Sequence, residues 1–175
     1  MSSRLIVAVV DIEAHVSEGG WDQPPRMFAL ASAGEMVATE PGMAEALGLD
    51  ASFDGWVPIE QEWPDEEAPL DEILAGIGWP DEVHGCVLAI ERMVLPPDAE
   101  SELIGEGLDP QSFEFTARAS THPKRRDVRM IVGIERGGAR ACRLRVQQED
   151  GTETFTDGPD LVPGLSRALL ATFED

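Results

Sequence analysis

Asparagine and tyrosine are absent from this chain of 175 residues, and lysine occurs once against twelve arginines. That bias reflects coding composition rather than mechanism. The shortage of positive charge says more: 13 Lys+Arg stand against 34 Asp+Glu, for a net charge of −21. Such a surface repels polyanions and argues against nucleic-acid binding, which needs a positive footprint. It repels anionic membrane surfaces in the same way. Long apolar runs are missing too. The N-terminal run Leu5 to Val10 meets Asp11, Glu13 and His15, so it is too short for a secretion signal or a membrane span. These absences lead to the expectation of a cytoplasmic protein.

Cysteine is scarce. Cys86 and Cys142 sit in apolar, strand-like runs and read as small buried hydrophobes rather than a disulfide. The three histidines, His15, His84 and His122, have no metal-ligand spacing. Asp65-Glu66-Glu67 lacks the alternating ligands and glycine turn of a calcium loop. Local catalytic signatures are also missing. Gly164-Leu165-Ser166-Arg167-Ala168 fails the nucleophile elbow, which needs glycine where Ala168 stands. Cys86 lies mid-strand, away from any helix dipole that would activate a thiolate. No phosphate loop, dinucleotide fingerprint or zinc-protease motif occurs. Neither a cofactor nor a metal is expected.

What is present suffices for one folded domain spanning residues 1–175. Hydrophobic residues make up 42% of the chain, too many for charge-driven disorder. A domain of this length buries about 70% of its unfolded surface.

The scarce positive charge is concentrated. Residues 1–117 carry 25 acids against Arg4, Arg26 and Arg92, whereas residues 118–148 carry nine bases against Asp127 and Glu135. Within that island, Lys124, Arg125, Arg126, Arg129, Arg143 and Arg145 are the best anion- or partner-binding candidates. Arginine forks suit carboxylates and phosphates. Three readings stand side by side: a salt-bridge face within the protein or between copies, a site for an external partner, and a small-anion site. The protein's own acids are the nearest anions.

Leu5, Ala8, Val9, Ile12 and Val16 recur at helical spacing, with Ser2 or Ser3 to cap the start and Gly19-Gly20 to stop it. Met27 to Ala31 reads as a strand. Residues 33–47 read as one or two short helices broken at Pro41-Gly42. Trp56 to Ile59 reads as an edge strand because of Pro58. Leu70, Ile73, Leu74 and Ile77 mark an amphipathic helix. Val83 to Leu95 is apolar on both faces, so it should be a central strand covered on both sides. A short helix is expected near residues 98–104. Val128, Met130, Val132 and Ile134 alternate, as do Cys142, Leu144 and Val146 across Gly137-Gly138. Keeping both apolar rows on one face needs a three-residue loop, Gly137 to Ala139, with Ile134 opposite Cys142 and Val132 opposite Leu144. Glu149-Asp150-Gly151 turns into a further strand at residues 152–156. A last helix carries Val162, Leu165, Leu169 and Phe173, with Asp160 as its cap. The expected fold is α+β, with the order α-β-α-β-α-β-β-β-α around a mainly antiparallel sheet of about four to six strands.

Trp21, Trp56, Trp63 and Trp79 all lie in Gly/Pro-rich surroundings and are interaction-surface candidates if they gather. Trp63-Pro64-Asp65-Glu66 and Trp79-Pro80-Asp81-Glu82 are the same tetrapeptide. They read as aromatic anchors for proline turns at the two ends of one helix.

The stretches Gly20 to Leu30, Trp79 to Pro97 and Gly158 to Gly164 resemble a family of small acidic actinobacterial proteins whose function is not characterised. The resemblance implies a stand-alone, single-domain cytoplasmic protein and carries over no catalytic residues. The leading functional expectation is a non-enzymatic protein-binding or chaperone-like adaptor that engages a partner or another copy of itself. The alternatives are an enzyme whose site assembles around His84, Asp22 and Arg26, and an acidic mimic of nucleic acid.

Overall fold

The computed structural model describes residues 3–49, 55–64, 67–148 and 151–174. Asp65, Glu66, Glu149, Asp150 and Ser2, which figure in the expectations above, lie outside them. The chain runs α1 (Ser3–Ser17), β1 (Arg26–Ser32), α2 (Ala33–Thr39), α3 (Pro41–Ala46), β2 (Trp56–Gln61), α4 (Leu70–Ala75), β3 (Val83–Val94), α5 (Pro97–Gly105), α6 (Phe113–Ser120), β4 (Arg126–Glu135), β5 (Arg140–Gln147), β6 (Glu153–Gly158) and α7 (Pro163–Ala171). The strands form one antiparallel sheet in the order β2-β1-β3-β4-β5-β6. This is the expected α+β fold.

Two cores sandwich the sheet. On one face α1 lays Leu5, Ala8, Val9, Ile12 and Val16 onto Phe28, Leu30, Val87, Ala89 and Ile131. On the other, α4 and α7 cover Cys86, Leu88, Ile90, Val132 and Ile134 with Leu74 and Leu169. The doubly apolar β3 is therefore central and covered on both sides. Gly133 lets α1 approach closely, since a Cβ there would lie 2.7 Å from Val9 Cγ2 and 3.0 Å from Leu5 Cδ1. A smaller core of Ala33, Met36, Ala44 and Val57 seats α2 and α3 beside the β2 edge.

Four details differ from the sequence reading. The β4–β5 loop has three residues, but it spans Arg136 to Gly138 rather than Gly137 to Ala139. Val132 therefore faces Cys142, and Ile134 faces Arg140. The reason is conformational. The last loop position needs a positive φ, which Gly138 supplies at 101° and Ala139 would resist. The shift is an even number of residues, so both apolar rows still share a face. Second, β3 and β4 are joined through two short helices, α5 and α6, rather than one. They bury Ala99, Leu103 and Ala119. Third, Asp160 does not cap α7. Val162 holds that position without a side-chain bond, while Asp160 pairs with Arg140 at 2.8 Å. Ser3 is the first residue of α1 rather than its cap.

Candidate functional site

The α1 side of the sheet carries a row of charge toward its β6 edge. Alternation puts Arg129 of β4, Arg143 and Arg145 of β5, and Glu153, Phe155 and Asp157 of β6 on that face. Helix α1 presents Glu13 and Ser17 above them. The groups close into a ring. Arg129 donates to Ser17 Oγ (3.1 Å), and Ser17 donates to Glu13 (2.8 Å). Arg145 bridges Glu13 and Glu153. Trp21 Nε1 donates to Glu153 (2.9 Å), and the Arg129 guanidinium lies 4.6 Å from the Trp21 ring centre.

Arg129 is 1% exposed and Glu13 is 2% exposed, which is tolerable only because each has partners. Arg129 also donates to the Gly20 carbonyl just past α1, where the helix dipole favours a cation, and pairs with Glu91 at 3.4 Å. Glu91 in turn accepts the backbone N–H of Asp22 (2.9 Å) and of Gln23 (3.0 Å). It thereby holds Asp22 at a positive φ of 65°. Burial pushes the Glu13 carboxyl up. Hydrogen bonds from Arg145 and Ser17, with the charges of Arg145 and Arg143, outweigh that and hold it below the usual carboxylate range. Glu153 is lowered by its bond from Trp21 and by Arg145.

Next to this ring the seam turns apolar. Ile6, Val9 and Val10 of α1 face Ala141, Asp157 and Gly158 across a groove of about 250 Å³. Between groove and ring stands Phe155, 45% exposed, with Arg143 and Arg145 guanidinium carbons 4.3 and 4.4 Å from its ring centre. Arg143 also reaches Asp157 at 3.0 Å.

The other candidates lie elsewhere. Lys124 pairs with Asp98 (2.7 Å), and Arg125 pairs with Asp127 (3.1 Å). Arg126 opens β4 opposite Val94, with its Nε buried and without a hydrogen-bond partner. The tryptophans are dispersed. Trp56 packs on the α1-side core and stacks on His84 at 5.3 Å. Trp63 and Trp79 pack on the opposite core, where Trp79 donates to Thr172 (2.8 Å). Arg26 and His84 lie near opposite ends of the β1–β3 pair, about 17 Å of strand apart. Arg26 is engaged by Glu60 at 2.6 Å. Cys86 and Cys142 are buried thiols on β3 and β5. With β4 between them, their Cα atoms are more than about 9 Å apart, too far to bridge. No three His, Cys, Asp or Glu among the described residues are grouped to hold a metal, and no helix there is long and apolar enough to cross a membrane.

A family model described as PPA1309-like protein matches residues 5–174. The chain belongs to that family. The match runs from α1 to beyond α7, so both lips of the α1–β6 seam fall within one family unit. Neither the curated proteins nor the solved structures contain a match to this chain.

Sequence reasoning singled out Trp21, Arg129, Arg143 and Arg145 of this seam. It missed Glu13, Glu91, Glu153 and Phe155. Phe155 had one usable signal, an aromatic flanked by threonines in a strand-like run. Glu13 also left a mark, as an acid in the buried stripe of α1.

Proposed function

We propose that the chain is a non-enzymatic protein-binding domain of adaptor type, cytoplasmic and actinobacterial as the resemblance implied, whose docking surface is the α1–β6 seam. One observation carries the reading. Ile6, Val10 and Phe155, which are 38, 36 and 45% exposed, line or flank a groove beside an open sheet edge. Contiguous apolar exposure on so charged a protein marks a contact surface. The basic island supports the same reading from the other side, because Lys124, Arg125, Arg129, Arg143 and Arg145 are engaged by the protein's own acids.

A photo-crosslinking residue placed at Phe155 should capture one partner in cells, and the same residue at Ile59 on the β2 edge should not. The purified partner should then slow amide exchange across residues 153–158 and bind Val10→Asp, changed in the groove itself, at least about tenfold more weakly. Equal capture at both positions, or no protection at 153–158, would overturn the proposal.

A second reading rests on His84, which meets Glu35 at 2.9 Å beside a cleft of about 620 Å³ lined also by Glu40 and Glu82. A histidine–carboxylate pair can serve as a general base. The nearby Ser32 hydroxyl is engaged in capping α2. Turnover of an ester or phosphoester panel that disappears in His84→Gln would favour this reading. Unchanged turnover, or none, would count against it.

A further inference from the structure

Resting on that docking surface, we infer that its occupant is an extended basic segment of another protein. The segment adds along β6 as a seventh strand, with an apolar side chain opposite Phe155 and lysine or arginine two residues to either side. The two sheet edges differ in what they offer. Edge β2 carries Pro58 in its middle, which lacks an N–H and blunts strand addition. Edge β6 runs from Glu153 to Gly158 without proline and, among the described residues, pairs only with β5. Its outer backbone groups are a template for an incoming strand.

Side-chain chemistry specifies the guest. On the α1-side face, β6 presents Glu153, Phe155 and Asp157 at alternate positions, so any added strand meets an acid–aromatic–acid row. From the β5 side Arg145 bonds Glu153, and Arg143 lies 3.0 Å from Asp157 as a charge pair. The Asp157 side chain remains 61% exposed and that of Glu153 31%. A facing strand with base, apolar residue and base in the same spacing completes both cross-strand pairs. The net charge of −21 draws such a segment in from a distance. A second copy fits poorly. With Phe155 opposite itself, Glu153 would face the second copy's Asp157, and like charges directly opposite destabilise a sheet.

The test uses the full chain and three short synthetic peptides, followed by amide NMR at low salt. One has the centre Lys-Thr-Val-Thr-Lys, one has glutamates in place of the lysines, and one is the lysine peptide N-methylated at its central residues. The lysine peptide should bind at least about tenfold more tightly than the glutamate peptide, with shifts concentrated at Thr154 to Asp157 and a gap that narrows as salt is added. N-methylation should cost about tenfold or more, as should Asp157→Lys in the protein. The inference is overturned if the two peptides bind equally or not at all, if N-methylation is harmless, or if the shifts fall on the acid-rich residues 60–72. Concentration-dependent shifts at β6 without peptide would identify a second copy as occupant and overturn it as well. Crosslinked capture at Phe155 with no response to the lysine peptide would sink this inference while leaving the docking surface intact.

Discussion

Replacing Glu13 by Gln removes one charge from a closed ring and should cost far more than a surface substitution. Glu13 is 2% exposed and takes two bonds from Arg145. Orphaning one member of a fully buried pair costs about 3–5 kcal/mol. Arg145 keeps Glu153 and is 17% exposed, so water and the second carboxylate recover part of that loss. The expected loss at neutral pH is about 2–3 kcal/mol. For a protein of this size that lowers Tm by about 4–12 °C. Replacing both partners with apolar residues, Glu13→Leu with Arg145→Met, should return stability to within about 1 kcal/mol of the starting protein, because no charge is left buried alone. Arg145→Met leaves the buried Glu13 alone and should cost about 3–5 kcal/mol, so urea denaturation of the two single variants and the double variant should give a coupling of about 4 kcal/mol or more. The pH dependence gives an independent check. The folded Glu13 carboxyl lies below its ordinary 4.5. Its contribution is therefore complete above 4.5 and fades as pH falls through the lowered folded value. The gap between the natural protein and Glu13→Gln should hold through neutral pH and close in acid. Additive single variants, or a gap that ignores acid, would refute the argument.

Gly133→Ala should destabilise by about 1–3 kcal/mol, because its Cβ would press on Val9 and Leu5 of α1; an unchanged urea midpoint would mean that α1 is not seated there. Gly138→Ala should cost about 1–2 kcal/mol, while Ala139→Gly should cost less, since only the first position holds a φ of 101°; equal costs would return the loop to residues 137–139. Burial pushes the Cys86 thiol up to about 12, against a weaker pull from Thr172. A disulfide-exchange reagent at mildly alkaline pH should therefore leave Cys86 unmodified in the folded protein and label it once urea is added. Rapid labelling of Cys86 in the folded state would contradict its burial.

The strands were legible wherever one rule of physics acted alone. Double-sided apolarity placed β3 in the centre, Pro58 placed β2 at an edge, and alternation put the rows of β4 and β5 on a common face. The loop was placed one residue late, and the pairing two residues off, because only the apolar rows were weighed. The demand for positive φ at the final loop position would have selected Gly138. The site was half legible for a different reason. Basic side chains were rare enough to stand out, but acids are not. Nothing local links Glu13 to Arg145, 132 residues away, when 34 acids compete for the role. Phe155 lay in a strand of only six residues whose one apolar side chain shows no period, so pattern carries little weight there.

Buried charge in the seam is a poor way to gain stability, since apolar side chains of similar volume pack as well without desolvation. Geometry offers a better account of the ring. Glu13 and Arg145 stand between α1 and the sheet where the helix passes β6, and Arg143 and Arg145 lie against the Phe155 ring. Apolar residues at 13 and 145, without the bonds that tie Glu13 through Arg145 to Glu153, would let α1 settle toward β6, cover Phe155 and close the groove beside Ile6 and Val10. The ring then acts as a spacer that keeps an apolar surface open, and Arg145 holds Glu153 in the row that an incoming strand would read. On this account the Glu13→Leu, Arg145→Met protein separates the two properties. It should match the natural protein in urea while binding the lysine peptide at least about tenfold more weakly. A variant that is equally stable and equally competent would show that the ring has no part in recognition.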